Sequence, residues 1–147
     1  MLFSYHGLPE RHIKRSACVQ ACDHVSACPV TTQSDCYRAQ CYITSDLIAK
    51  QLGLQPTQYQ IAFQSRLGRT PWIKPYSDLL LPELVKAGVK NIAVVCPSFV
   101  VDCLETLEEV NIRMREQWQA LGGAGFVFVP CLNDEVSWAS TVAQWLL

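Results

Sequence analysis

The chain has almost no excess of either charge. It carries 12 lysines and arginines against 13 aspartates and glutamates in 147 residues. That balance gives no electrostatic footing for nucleic acid, which needs a basic face. Long hydrophobic runs are missing too. Half of the residues are apolar, yet no run approaches the ~20 residues that a transmembrane segment requires. The longest, Ile92 to Val101, is interrupted by Cys96-Pro97-Ser98. Near the start, Ser4, Tyr5 and His6 break the apolar stretch at once, so it does not read as a secretory signal. There is no internal repeat, low-complexity stretch or second domain boundary. These absences leave one domain, long enough to bury a core. Its expected location is cytoplasmic, at most peripheral to a membrane.

Cysteine, by contrast, is abundant. Of eight, five crowd into residues 18–41, as Cys18, Cys22, Cys28, Cys36 and Cys41. A secreted disulfide scaffold is one reading of such a count. A chain of this length with alternating strands and helices does not need staples, and clustered thiols without a signal more often bind metal. The spacing is Cys18-x3-Cys22-x5-Cys28-x7-Cys36-x4-Cys41. Zinc sites use closely spaced pairs. Cys18/Cys22 fits, and Cys36/Cys41 sits at the upper limit of the range. The irregular all-thiol set leaves an iron–sulfur cluster open beside zinc. Cys96, Cys103 and Cys131 lie at apolar strand ends and read as buried small hydrophobes.

The hydrophobic pattern alternates strand and helix. Strands are expected at Leu2–His6, Tyr59–Phe63, Asn91–Val95 and Gly125–Val129. Helices are expected at about 38–53, Asp78–Ala87, Asp102–Leu121 and Asp134–Leu147, with Asp134 as a cap and Pro82 distorting the second. Residues 7–35 and Gln64–Trp72 read as loops. The almost uniformly apolar Asn91–Val95 suits a central parallel strand. The pattern predicts an α/β fold with a four-stranded parallel sheet flanked by helices. A core strand directly behind Met1 predicts a piece cut from a longer chain. Sites in such sheets form beyond the carboxyl ends of the strands.

Three groups fall there. His6 closes the first strand, and its imidazole suits either a first-row metal or proton transfer near neutrality. His12 and His24 read as solvated loop residues or alternative ligands. Asp102, Glu105 and Glu109 share one face of a helix, within about 60° of arc at ~100° per residue. The helix dipole accounts for acids in a first turn. It does not reach Glu109, and like charges so close call for a cation or a proton between them. In Gln64–Trp72, Trp72 offers a flat apolar face, or folds onto the core. Arg66 and Arg69 offer forks for carboxylates.

Phe3-Ser4-Tyr5-His6-Gly7-Leu8-Pro9, Phe63-Gln64-Ser65-Arg66-Leu67-Gly68-Arg69-Thr70-Pro71-Trp72 and Asp102-Cys103-Leu104-Glu105-Thr106-Leu107-Glu108-Glu109 together resemble ferrochelatase, in the order and spacing of its carboxyl-terminal half. The resemblance covers nearly the whole chain. It implies a Rossmann-like half of a two-half chelatase fold, residues 1–147 being the C-terminal domain with a cysteine-rich insertion at 18–41. It implies insertion of ferrous iron, as substrate, into protoporphyrin IX to form protohaem. A missing N-terminal half would complete the cleft. The isolated piece is expected to be inactive and able to self-associate through the uncovered face.

By position, His6 matches the family's active-site histidine, Glu105 its glutamate and Glu109 the next acid along. The resemblance makes His6, Glu105 and Glu109 catalytic, His6 and Glu105 also metal-holding, and Trp72 and Asp102 substrate-binding. Cys103 stands where many members have a second histidine, so that residue's role does not carry over. The thiol-rich segment replaces a Gly-Asp-Pro-Tyr-Pro-like stretch. Some members hold a [2Fe-2S] cluster, and one bacterial group places its ligands in a similar internal segment. Carried over, this implies a [2Fe-2S] cluster on Cys18, Cys22, Cys28 and Cys36, with zinc as the alternative and Cys41 beginning the next helix. The competing readings are a non-catalytic iron–sulfur or zinc-binding interaction module and a chelatase for another tetrapyrrole or another metal such as cobalt.

Overall fold

The computed structural model describes residues 1–13 and 36–147. β1 (Leu2–His6), β2 (Gln60–Gln64), β3 (Asn91–Val95) and β4 (Gly125–Phe128) form one all-parallel sheet in the order β2-β1-β3-β4. Each lies within one residue of its expected bounds. After β2 the chain returns across β1 to lay down β3 on the other side. That reversal opens a crevice at the carboxyl ends of β1 and β3, where open α/β sheets bind ligands. His6 is the last residue of β1, and its register partner on β2 is Gln64.

Side chains alternate between the two faces of a strand. Leu2 packs with Ala62, Ile92, Val94 and Phe126 of the sheet and with Val110, Met114 and Trp118 of the helices on that face. Phe3 and Tyr5 take the opposite face with Ile61, Phe63 and the α2 residues Cys41 and Ala49. Ser4 returns to the Leu2 side, its Oγ 2.9 Å from that of Ser77. By the same parity His6 is on the Ser4 side. This parity decides whether the imidazole can meet the acidic helix.

The helices are α1 (Glu10–Ile13), α2 (Tyr37–Gln51), α3 (Ser77–Lys86), α4 (Leu104–Thr106), a π-helical segment (Leu107–Met114), α5 (Arg115–Ala120) and α6 (Val136–Trp145). Four details depart from the sequence reading. The expected loop after β1 contains α1. The expected helix from Asp102 begins at Leu104 and changes repeat to i→i+5 midway, where Arg115 Nε donates to the Asn111 carbonyl at 3.0 Å. Asp134 does not cap α6. Glu135 stands at the cap without a side-chain bond, because 131–133 bend back toward Asp102. Pro82 lies inside α3 without ending it. Proline cannot donate to the Asp78 carbonyl one turn back, and Gln117 Nε2 donates there at 2.8 Å instead. That bond ties α5 to α3.

Trp118 is fully buried, and the chain turns directly over it. A β-carbon at Gly123 would come 2.2 Å from the indole nitrogen, so only glycine fits.

Candidate active site

His6 is held through its carbonyl and through its ring. The Tyr37 phenol donates to the carbonyl at 2.7 Å. Burial pushes that phenol's pKa up, so it remains a donor. Nδ1 of His6 lies 2.7 Å from the Gly7 carbonyl. A carbonyl only accepts, so Nδ1 carries a proton, and the tautomer this selects has its lone pair on Nε2. The ring centroid is 6.3 Å from those of Trp72 and Phe99. Gly7 permits this crowding. Its N–H donates to the Gln64 carbonyl at 2.8 Å, and a β-carbon there would meet that oxygen at 3.0 Å and Trp72 Cε3 at 3.2 Å. Trp72 is pinned by its indole N–H, which donates to the Leu67 carbonyl at 2.9 Å.

The acids arrive from the other side of the sheet edge. Glu105 is in α4 and Glu109 in the π-helical segment. Both are held by the end of β2. The buried Gln64 accepts a hydrogen bond from Ser4 Oγ at 2.7 Å and donates through Nε2 to the Glu105 carbonyl at 2.7 Å. The next residue, Ser65, has φ 65°, left-handed backbone uncommon outside glycine. Its N–H donates to Glu109 Oε1 at 2.8 Å and its hydroxyl to Oε2 at 2.5 Å. Hydrogen bonds from the Cys103 side chain and then from the backbone N–H of Glu105 itself hold the Glu105 carboxyl below the usual range. Glu105 is therefore an anion at neutral pH.

His6, Gln64, Ser65, Trp72, Glu105 and Glu109 line one cavity of about 1020 Å³. Asp102 is not among its lining residues. It lies before the helix, where its carboxylate accepts from Thr106 Oγ1 at 2.9 Å, Asn133 Nδ2 at 2.8 Å and the Cys131 N–H at 3.3 Å. The equal-arc reading of the three acids fails because Asp102 is not helical and Glu109 is not in α-helical repeat. Arg66 lines the cavity with its charge already countered. Both its Nη atoms pair with Asp78, the second at 2.7 Å, and its guanidinium stacks 4.3 Å from the Tyr76 ring centre. Arg69 is exposed and apart from the lining. His12 is exposed beside Arg11. Gln64 and Ser65 were in the quoted motif with no role assigned. The one signal for them was their place where a strand ends.

Among the cysteines, Cys18, Cys22 and Cys28 lie outside the described residues, as does His24. Cys36 is buried at the N-cap of α2, against Ala39 and Tyr42. Cys41 faces the core with Phe3, Tyr5 and Phe63, and burial pushes its thiol up to about 12. Cys96 is buried as expected, its thiol also pushed up to about 12 by burial. Cys103 and Cys131 are only half-buried, which corrects the reading of all three as core. Cys103 instead caps α4, its N–H bonding Thr106 Oγ1 at 2.9 Å. Among the described residues, no three His, Cys, Asp or Glu side chains gather as a metal-holding group. No described helix is long and apolar enough to cross a membrane.

The family model described as Ferrochelatase matches residues 1–147. A curated protein named ferrochelatase from Legionella pneumophila (strain Philadelphia 1) is 56% identical over 142 residues, covering 97% of this chain and 43% of its own length. One from Coxiella burnetii (strain Dugway 5J108-111) is 55% identical over 146 residues, covering 97% of this chain and 41% of its own length. The chain thus spans about two-fifths of these relatives. With the family's pattern matched from end to end and more than half of the aligned residues shared, this chain belongs to the ferrochelatase family.

Proposed function

We propose that the intact protein inserts ferrous iron into protoporphyrin IX, and that this segment supplies the wall of the cleft that carries out the metal exchange. The observation that supports this reading is the meeting of His6, Trp72, Glu105 and Glu109 on one cavity from three separate stretches of chain. Insertion releases two pyrrole protons and takes in one divalent ion. Nε2 of His6 takes up pyrrole protons, and the same lone pair can hold iron in passing. Glu105 receives the ion as it sheds water, since it is already ionised. Glu109 takes protons or the ion onward along the helix. Trp72 lies against the macrocycle and limits its tilt. Asp102 serves substrate binding from a distance, by fixing the start of α4. General-base help of this kind contributes ~10²–10⁴-fold in rate.

The test is His6→Ala in the intact protein. Iron or zinc insertion into protoporphyrin IX is expected to disappear while the circular dichroism spectrum and porphyrin binding persist. Near-normal insertion in that variant removes the assignment. An intact wild type that neither binds nor metallates porphyrin leaves the interaction-module reading instead.

The thiol-rich segment is assigned a [2Fe-2S] cluster on Cys18, Cys22, Cys28 and Cys36. Cys36 is chosen over Cys41 because it adjoins the thiol-rich segment at the start of α2, whereas Cys41 lies more than a turn inside that helix. Cys41 is sealed in the core as a neutral thiol. Because metal insertion transfers no net electrons, the cluster's contribution is structural or sensory, its ligation adding folding energy. Anaerobically purified protein is expected to be reddish-brown, with visible absorbance that Cys36→Ser bleaches and Cys41→Ser leaves in place. Colourless protein holding one zinc overturns the cluster in favour of the alternative.

A further inference from the structure

We propose that Ser65 is a positioning residue that holds Glu109 at a fixed distance from His6, and that its left-handed backbone is kept for this purpose. The inference rests on the reading of Glu109 given above and adds the device that aims it. The argument begins with the sheet. His6 and Gln64 are register partners at the ends of β1 and β2, so the sheet's ladder fixes the height of the β2 end relative to the imidazole. Gln64 and Ser65 then reach out from that end to the acidic helix. Gln64 takes the Glu105 main chain, and Ser65 takes the Glu109 carboxylate with both its N–H and its hydroxyl. The helix at this point has changed from i→i+4 to i→i+5 repeat, so its own ladder does not set the Glu109 angle in the ordinary way.

The backbone at Ser65 is the second observation. With φ at 65°, a residue bearing a β-carbon is strained, and glycine is the usual occupant. In this conformation the N–H and the hydroxyl of one residue both reach Glu109. A serine retained where glycine fits better is explained if the hydroxyl itself is needed. Glycine in its place keeps the N–H bond, relieves the backbone and loses the hydroxyl bond.

This separates positioning from plain structure. In the intact protein, Ser65→Gly is expected to unfold at the same temperature as wild type or higher. Its kcat for metal insertion is expected to fall by about 10- to 100-fold, the scale of a small misplacement, with the KM for porphyrin unchanged. Ser65→Asn, which tolerates left-handed backbone and restores a side-chain donor, is expected to recover most of the loss. Wild-type kcat in Ser65→Gly overturns the proposal, as does a loss of activity that only follows a loss of stability. Glu109→Gln serves as the reference. If that variant is fully active, the role of Glu109 fails. If it is impaired while Ser65→Gly is not, the brace alone fails.

Discussion

Three residues send donors to the carboxylate of Asp102: Thr106, Cys131 and Asn133. Burial by itself would raise this group's pKa. The bonds from Asn133, Cys131 and Thr106 outweigh it and leave the pKa below the ordinary 3.8. Asn133 completes the knot from the other direction, its Oδ1 accepting the Asp102 N–H at 2.9 Å. A depressed carboxyl binds its proton more weakly in the folded chain than in the unfolded one. Its contribution is then fully present above about pH 4 and is lost as pH falls through the folded value. Asp102→Asn turns an acceptor into a donor that faces other donors, and in the intact protein it is expected to cost about 1–2 kcal/mol at neutral pH. That deficit is expected to shrink as pH falls below about 4, where the unfolded chain's carboxyl takes up its proton first and the folded one follows only at its lower value. Urea unfolding of both proteins from pH 7 to pH 3 measures it. A deficit that stays constant across the range would assign the cost to shape and not to charge.

At the scale of elements, the four strands were legible because burial writes them directly into the sequence. Ile92 and Val94 pack one side of β3 while Val95 packs the other, so the apolar run reports a strand covered on both faces. That His6 would line the rim was legible for a related reason. A polar residue that ends an apolar strand lies on the rim that such sheets use. The acidic helix was only half legible. Its acids were visible, but its repeat was not, because contacts distant in sequence accompany the change. Arg115 reaches the Phe126 carbonyl at 2.7 Å, and Gln64 takes the Glu105 carbonyl. A 100° wheel cannot register any of these. Pro82 shows the same limit. Its missing donor was clear from the sequence, and its replacement by Gln117 was not. The candidate ligands of the proposed cluster were legible only as thiols, and the spacing could not select four of five. Of that set the structure describes only Cys36 and Cys41.

Considered whole, the molecule is well closed around its sheet and open elsewhere. α6 buries none of its residues, and Val136 and Trp145 are 77% and 73% exposed. Trp138 and Trp145 meet edge to face at 6.1 Å, which leaves an aromatic ridge along the helix. On the far strand β4, Val127 is 59% exposed. Exposed apolar surface of this kind marks an interface, and the relatives are more than twice as long as the chain. We propose that the rest of the protein covers these faces. The 147-residue segment on its own would then associate through them. Light scattering across a dilution series is expected to give a mass above one chain that falls on dilution. Replacing Val136 and Trp145 together by glutamate is expected to return it to a monomer, because paired like charges cannot be buried against each other without cost. A wild-type segment that stays monomeric at every concentration would mean that these side chains need no cover, and that the missing partner surface lies elsewhere, around the open cavity.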